Sequence, residues 1–224
     1  FINFFLGTEF YSAVIREILA NPEAYGRSEY GRDEKVMVEF VSANPTGPMH
    51  MGNARGGALG DCLAAVLDKA GYNAWREFYV NDAGNQIEKF GCSLEARYLQ
   101  IFKGDEIEFP EDGYQGEDIK DLAKEYADLN GDSLVNVSAE ERKKALVDYA
   151  LPKNIKKMQA DMEKYKIFYD KWFFESELHK SGAVKAVVDL LTEKGLTYEK
   201  DGAVWYKNKE VLTQKLLKEG KSQK

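Results

Sequence analysis

Cysteine, histidine and long apolar runs are what this sequence has least of. Its 224 residues include two cysteines, Cys62 and Cys92, and two histidines, His50 and His179. So few, so widely spread, make neither a disulfide framework nor a Cys/His metal cluster, so no metal site is expected and a reducing, cytoplasmic setting is the simple reading. No apolar run approaches the ~20 residues that span a bilayer, which removes a membrane from the expected partners. The opening Phe1–Leu6 is apolar but has neither a basic leader nor a cleavage pattern, so it is not read as a signal peptide. Because the first residue is Phe rather than Met, something is expected upstream of it. A basic excess is missing too: 31 Lys and Arg stand against 38 Asp and Glu, for a net charge of −7. A dedicated nucleic-acid binder has the opposite sign, so any RNA contact here would rest on a local basic face. The remaining composition, 44% hydrophobic and 31% charged, is that of an ordinary globular chain of one or two domains.

What is present is concentrated between residues 36 and 53. Val36-Met-Val-Glu-Phe-Val41 is a short apolar, β-branched run that reads as a buried strand. Residues 54–70 carry Leu59, Leu63, Val66 and Leu67 at helical spacing, with Gly71 as a stop. The connection, Ser42-Ala-Asn-Pro-Thr-Gly-Pro-Met-His-Met-Gly-Asn53, makes this a βα unit whose loop lies at the carboxyl end of a parallel strand, where α/β sheets place ligands. A helix entrance there offers free N–H groups and a positive dipole end, which suit a phosphate. The loop has no lysine, so it is not a P-loop. It puts His50 and Asn53 at the helix entrance, with Gly52 letting a ligand approach the backbone and Gly56 and Gly57 at a cost in helix propensity. Residues 75–81 read as a second strand, and a right-handed crossover brings its following loop, Asn81 to Gln86, to the same sheet edge.

Beyond Ile87 the pattern turns helical. Residues 9–20, 87–103, 117–130 and 138–166 have helical spacing, the last opening on a Ser138–Glu141 capping box and predicted to kink or restart at Pro152. Residues 104–116 form an acid- and glycine-rich loop, and 131–136 a turn. A helix runs from Glu177 or Ser181 to Lys194, and Asp201-Gly202 centres a hairpin over residues 196–206. The lysine-rich stretches 153–157 and 207–224 read as solvated faces.

The 38–53 stretch resembles the signature loop of class I aminoacyl-tRNA synthetases, and Val38-Glu-Phe-Val-Ser-Ala-Asn-Pro-Thr-Gly-Pro48 resembles the arginyl members in particular. The likeness resumes at Gly71-Tyr72, Glu77–Ile87, Tyr169–Ser176 and Tyr198–Trp205, covering roughly residues 1–207. It implies an α/β, Rossmann-like parallel sheet, the first half of the class I catalytic fold, with a mainly helical insert. The implied organisation is the end of an N-terminal domain and a linker over 1–34, the half-fold over 35–87, the insert over 88–170, and a return segment with a divergent tail over 171–224. It also implies an arginine–tRNA ligase fragment that uses ATP with Mg2+, takes L-arginine, meets tRNA(Arg) mainly through regions outside this stretch, and is monomeric. The second half of the fold, with its Tyr/Asp pair, its lysine-rich phosphate loop and the anticodon-binding domain, is not visible here, so the isolated chain is expected to be inactive.

Under that resemblance His50 and Asn53 are the catalytic candidates, and His50, Gly52, Asn53 and Gly56 line the ATP. Asn53 stands where many relatives carry a second histidine; an amide donates a hydrogen bond but carries no charge. Glu39 would pair with the guanidinium of arginine, Asn44 with its α-ammonium or carboxylate, and Ser42 lies between them with His50 nearby. A solvated strand carboxylate is the competing reading of Glu39; it is set aside because Val38 and Phe40 suggest a buried strand, where an unpaired charge is costly. Asp82, Asn85 and Gln86 face the same edge as further ligand candidates, with turn chemistry as their alternative. Trp172 and Phe173 read as core and His179 as structural. The alternative function is a non-catalytic module that binds ATP, arginine or a partner. Another nucleotidyl transferase with a similar loop fits less well, because Glu39, Asn44 and the 81–86 block match the arginyl pattern.

Overall fold

β1 (Lys35–Glu39) and β2 (Asn73–Val80) lie side by side and parallel, joined through α2 (Met51–Lys69), in a computed structural model that describes residues 1–218. β3 (Lys171–Phe174) adds to the far side of β2, giving the order β1-β2-β3. This is the expected α/β, Rossmann-like unit. α1 (Thr8–Ala20) precedes it, and between β2 and β3 run α3 (Asn85–Lys103), α4 (Glu117–Asn130) and α5 (Ala139–Lys164).

Two apolar cores support this unit, which extends from Phe1 to Phe173. One lies under the sheet, where Val38, Phe40, Ala64, Met162 and Ile167 pack together. The rings of Phe40, Phe78, Tyr169 and Trp172 continue it, with Trp172 stacked on Phe78 at a centroid distance of 4.1 Å. The other fills the helical stretch with Phe90, Leu94, Tyr98, Ile119, Ala123 and Leu146. Arg142 is buried beside it, its side chain ion-paired to Glu95 at 2.6 Å.

Local details depart from the expectation in four places. The first strand ends at Glu39 rather than Val41, because Val41 and Ser42 turn into the left-handed region at φ 69° and 43°. α2 starts at Met51 rather than Ala54, since His50 caps it. Pro152 does not start a new helix: α5 runs through it from Ala139 to Lys164. One lost backbone hydrogen bond is outweighed there by the packing of buried Leu146, Ala150 and Met158 on either side of it. The predicted 177/181–194 helix is two helices, α6 (Glu175–Lys180) and α7 (Ala183–Glu193), separated by Gly182 at φ 75°.

α2 also buries a different side from the one its leucines mark. Leu59, Leu63 and Val66 are 73%, 50% and 64% exposed. Gly57, Gly60 and Ala64 face the sheet instead. A Cβ on Gly60 would lie 2.2 Å from the Phe40 ring, so only glycine admits that ring under the helix.

From Phe174 onward the chain forms a second compact unit. It contains α6, α7, and the antiparallel hairpin β4 (Thr197–Lys200) and β5 (Ala203–Tyr206), followed by α8 (Asn208–Lys218). Asp201 and Gly202 both take positive φ, as a two-residue hairpin turn of the primed kind requires. His179 pairs with Glu175 at 3.6 Å on α6. The end of the expected tail, residues 219–224, lies outside the described residues. Among the described residues no helix is long and apolar enough to cross a membrane.

Candidate functional site

The segment between β1 and α2 has no ladder of its own, so its shape is set by contacts from outside. Val41 is β-branched and sits at φ 69°, a conformation that costs on the order of 1–3 kcal/mol and persists only where the surroundings hold it. The Phe40 carbonyl accepts from the Tyr169 hydroxyl at 3.2 Å. The Ser42 hydroxyl accepts from the Tyr79 N–H at 3.2 Å and donates to Glu39 Oε1 at 2.8 Å. Asn44 Oδ1 accepts from Asn81 Nδ2 at 3.1 Å. Asn154 on α5 donates to the Pro45 carbonyl at 2.9 Å.

His50 then ends the loop in an extended conformation and caps α2. Its Nδ1 accepts from the Gly52 N–H at 3.1 Å, and its own backbone N–H donates to Asn53 Oδ1 at 3.0 Å. This reciprocal pair is a capping box in which a histidine and an asparagine take the usual Ser/Thr and Glu/Gln places. It decides the chemistry of both side chains. With Nδ1 occupied as an acceptor, the neutral imidazole carries its proton on Nε2, so the other ring nitrogen is a donor. With Oδ1 occupied, Asn53 keeps its NH2 group as its donor end. Two side-chain donors therefore stand beside the positive end of a helix of 19 residues.

A cavity of about 430 Å³ opens at this point, and Ser42, Asn44, Thr46, His50, Asn53 and Tyr114 are among its lining residues. The structure thus brings together four of the sequence candidates: Ser42, Asn44, His50 and Asn53. Glu39 does not line the cavity; it adjoins it through its hydrogen bond to Ser42. The expectation that Glu39 is buried is corrected. Val38 and Phe40 are covered, but Glu39 and Met37 point to the opposite, exposed face of the sheet, because successive strand residues alternate sides. The solvated reading of Glu39 thus holds for its burial in this structure. Asp82, Asn85 and Gln86 do not line the cavity either. Gln86 accepts a hydrogen bond from the Tyr114 hydroxyl, and Asn85 begins α3.

The glycines divide by what surrounds them. At Gly52 a Cβ would come within 2.9 Å of His50 Cε1, so this residue is glycine because the capping ring lies over it. At Gly57 the close neighbour is Ile167, whereas a Cβ at Gly56 would meet nothing within 4 Å. Gly56→Ala is therefore expected to raise stability by about 0.5–1 kcal/mol through helix propensity. If ATP uses the open space at Gly56, the same change weakens nucleotide binding. Urea unfolding beside nucleotide calorimetry reads both, and a gain in stability with unaltered affinity removes Gly56 from the ATP site.

Three residues with site contacts were not among the sequence candidates. Thr46 is buried in the loop itself. Tyr114 comes from the acid-rich loop after α3, where its N–H donates to Ser93 Oγ at 2.8 Å and its ring meets Phe90 edge-on. Asn154 comes from the middle of a long helix. No spacing signal marks the last two, since their connection to the site runs through tertiary packing. Among the described residues no group of three or more His, Cys, Asp or Glu side chains is arranged to hold a metal ion.

Comparison with known proteins gives one consistent family. The family model described as tRNA synthetases class I (R), catalytic domain, matches residues 14–214. The arginine–tRNA ligase of Acetivibrio thermocellus is 61% identical over 208 residues, covering 92% of this chain and 37% of that protein. A solved Campylobacter jejuni structure, provisionally described as an arginyl-tRNA synthetase, superposes with a TM-score of 0.73 at 34% identity, covering 90% of this chain and 43% of that one. The Thermus thermophilus arginyl-tRNA synthetase superposes with a TM-score of 0.53 at 25% identity, covering 90% of this chain and 33% of its own. The chain spans a little over a third of the length of the curated relatives it matches.

Proposed function

Since the chain belongs to the class I tRNA synthetase (R) catalytic-domain family, we propose that it is the front part of an arginine–tRNA ligase, binding L-arginine and ATP at the β1–α2 loop. In the complete protein the arginine carboxylate attacks the α-phosphate of ATP and pyrophosphate leaves, and a terminal ribose hydroxyl of tRNA(Arg) then takes the arginyl group from the resulting adenylate as AMP leaves. The observation that carries this reading is the His50 cap, which leaves Nε2 as the donor nitrogen of a ring at the α2 N-terminus that lines a cavity with Ser42, Asn44 and Asn53. Negative charge develops on the α-phosphate as the carboxylate adds, and fixed donors aimed at that charge stabilise the transition state more than the ground state.

Arginine is assigned to Asn44 and Ser42, with Glu39 as the carboxylate for the guanidinium, a pairing that favours two parallel charge-assisted hydrogen bonds. ATP is assigned to His50, Gly52, Asn53 and Gly56. Mg2+ enters with the nucleotide phosphates. Asp82, Asn85 and Gln86 take a supporting part: Gln86 steadies Tyr114, and the loop they share supplies Asn81 to Asn44. The reading carries with it a cytoplasmic, monomeric protein whose tRNA contacts lie mainly beyond these residues.

A second reading, for residues 1–224 by themselves, is a module that binds ATP, arginine or a partner without turnover. Arginine-dependent exchange of pyrophosphate into ATP, with and without added tRNA, is expected to stay at background for the isolated chain; robust exchange would show that these residues suffice. Calorimetry is expected to give arginine at least about tenfold tighter binding than citrulline, which has the shape without the charge, if the guanidinium meets Glu39. Equal affinities would remove Glu39 from the arginine site.

A further inference from the structure

Asn154 reaches the loop from 109 positions beyond the carbonyl it holds. Asn154 is 9% exposed and lies on α5 among the helices of the insert. A buried amide is costly unless its hydrogen bonds are made, and an apolar residue of similar volume would serve packing alone. The amide does something packing does not: it donates to the Pro45 carbonyl at 2.9 Å. Pro45 is fully buried and has no N–H, so this bond fixes the peptide plane between Pro45 and Thr46 in a segment without a ladder. Upstream, Asn81 grips Asn44. Downstream, Thr46 is buried, Pro48 has a fixed φ, and His50 is tied into its cap.

We infer that Asn154 is a positioning residue: by holding the Pro45 carbonyl, it sets the path from Asn44 to His50 and so aims both side chains into the cavity. The helical insert is then part of the apparatus that shapes the site. The inference rests on the proposed function only in taking this cavity as the ligand site; its geometric content stands on the hydrogen bond and the cap.

The chain has two histidines, which makes the geometry directly readable. Long-range proton–nitrogen spectra of the imidazoles report tautomer and hydrogen bonding at His50, with His179, in the second unit, as the internal reference. The wild-type chain is expected to show His50 as the Nε2–H tautomer. Asn154→Leu keeps the branched shape and heavy-atom count and removes the donor; Asn154→Asp is nearly isosteric and, when ionised, cannot donate. In both, the two ring-nitrogen shifts of His50 are expected to converge toward those of free imidazole, with His179 unmoved. If Asn154→Leu does not fold, the isosteric variant carries the test. An unchanged His50 pattern in a folded variant with lowered Tm would make Asn154 merely structural and overturn the inference. The readout needs no ligand, so a wild-type chain that binds neither arginine nor ATP would count against the proposed function alone.

Discussion

Replacing His50 by alanine in the complete protein is expected to lower arginine-dependent pyrophosphate exchange by about 100- to 1,000-fold, the range seen when one preorganised transition-state donor is removed. In the proposed reading His50 has two separable jobs. Its Nδ1 closes the α2 cap, which is worth about 1 kcal/mol of stability, and its Nε2–H would be the donor to the phosphate. His50→Ala loses both. His50→Asn retains a good capping oxygen, since asparagine is among the preferred N-cap residues, but leaves no donor at the position of Nε2. The two variants are therefore expected to differ in Tm and to agree in lost activity. Exchange within about threefold of wild type in His50→Asn would assign His50 to capping alone and leave the phosphate to other groups.

The largest stability effect is expected at Arg142. Its guanidinium donates to the Leu134 carbonyl at 2.7 Å, to Val135 at 3.2 Å, to Val137 at 2.7 Å and to Glu95 Oε1 at 2.6 Å. Residues 131–138 between α4 and α5 have no strand or helix to satisfy these carbonyls, so one side chain closes the turn. The side chains of Arg142 and Glu95 are 9% and 17% exposed. Removing one partner of a buried pair leaves an uncompensated charge, and Arg142→Ala is expected to cost about 3–5 kcal/mol in urea unfolding. Adding Glu95→Gln should recover the part due to the stranded carboxylate and leave the part due to the carbonyls. Lysine is not a substitute, because one ammonium cannot reproduce the planar fork across four acceptors. A loss below about 1 kcal/mol in Arg142→Ala would mean that water satisfies the turn, and that the helical core tolerates an open loop there.

How much of the site was legible depended on how far apart along the chain its parts lie. His50 and Asn53 could be placed at a helix entrance from the strand, loop and helix pattern alone, and they are there. Their reciprocal cap follows from a three-residue spacing, although it advanced the start of α2 to Met51. Glu39 shows where such reading fails. Apolar neighbours on either side implied burial, but both lie on the other face of the strand, and the sequence does not say which face is covered. The leucines of α2 misled in the same way. They marked the helix correctly, yet glycines and an alanine face the sheet, because the Phe40 ring takes the space beneath Gly60. Tyr114 and Asn154 lay beyond reach, being brought to the loop by helix packing rather than by any local period.

By itself, then, the amino-acid order determined most of the elements, the loop and the side chains that begin α2, though not β3, α8 or the break between α6 and α7, because helix, strand and cap preferences act over a few residues. Only the tertiary structure decided which faces are covered, that Glu39 stands in the open, and that Tyr114 and Asn154 reach the site. Those outcomes depend on steric fit and hydrogen bonds between segments many residues apart, and such partners meet only once the cores have formed.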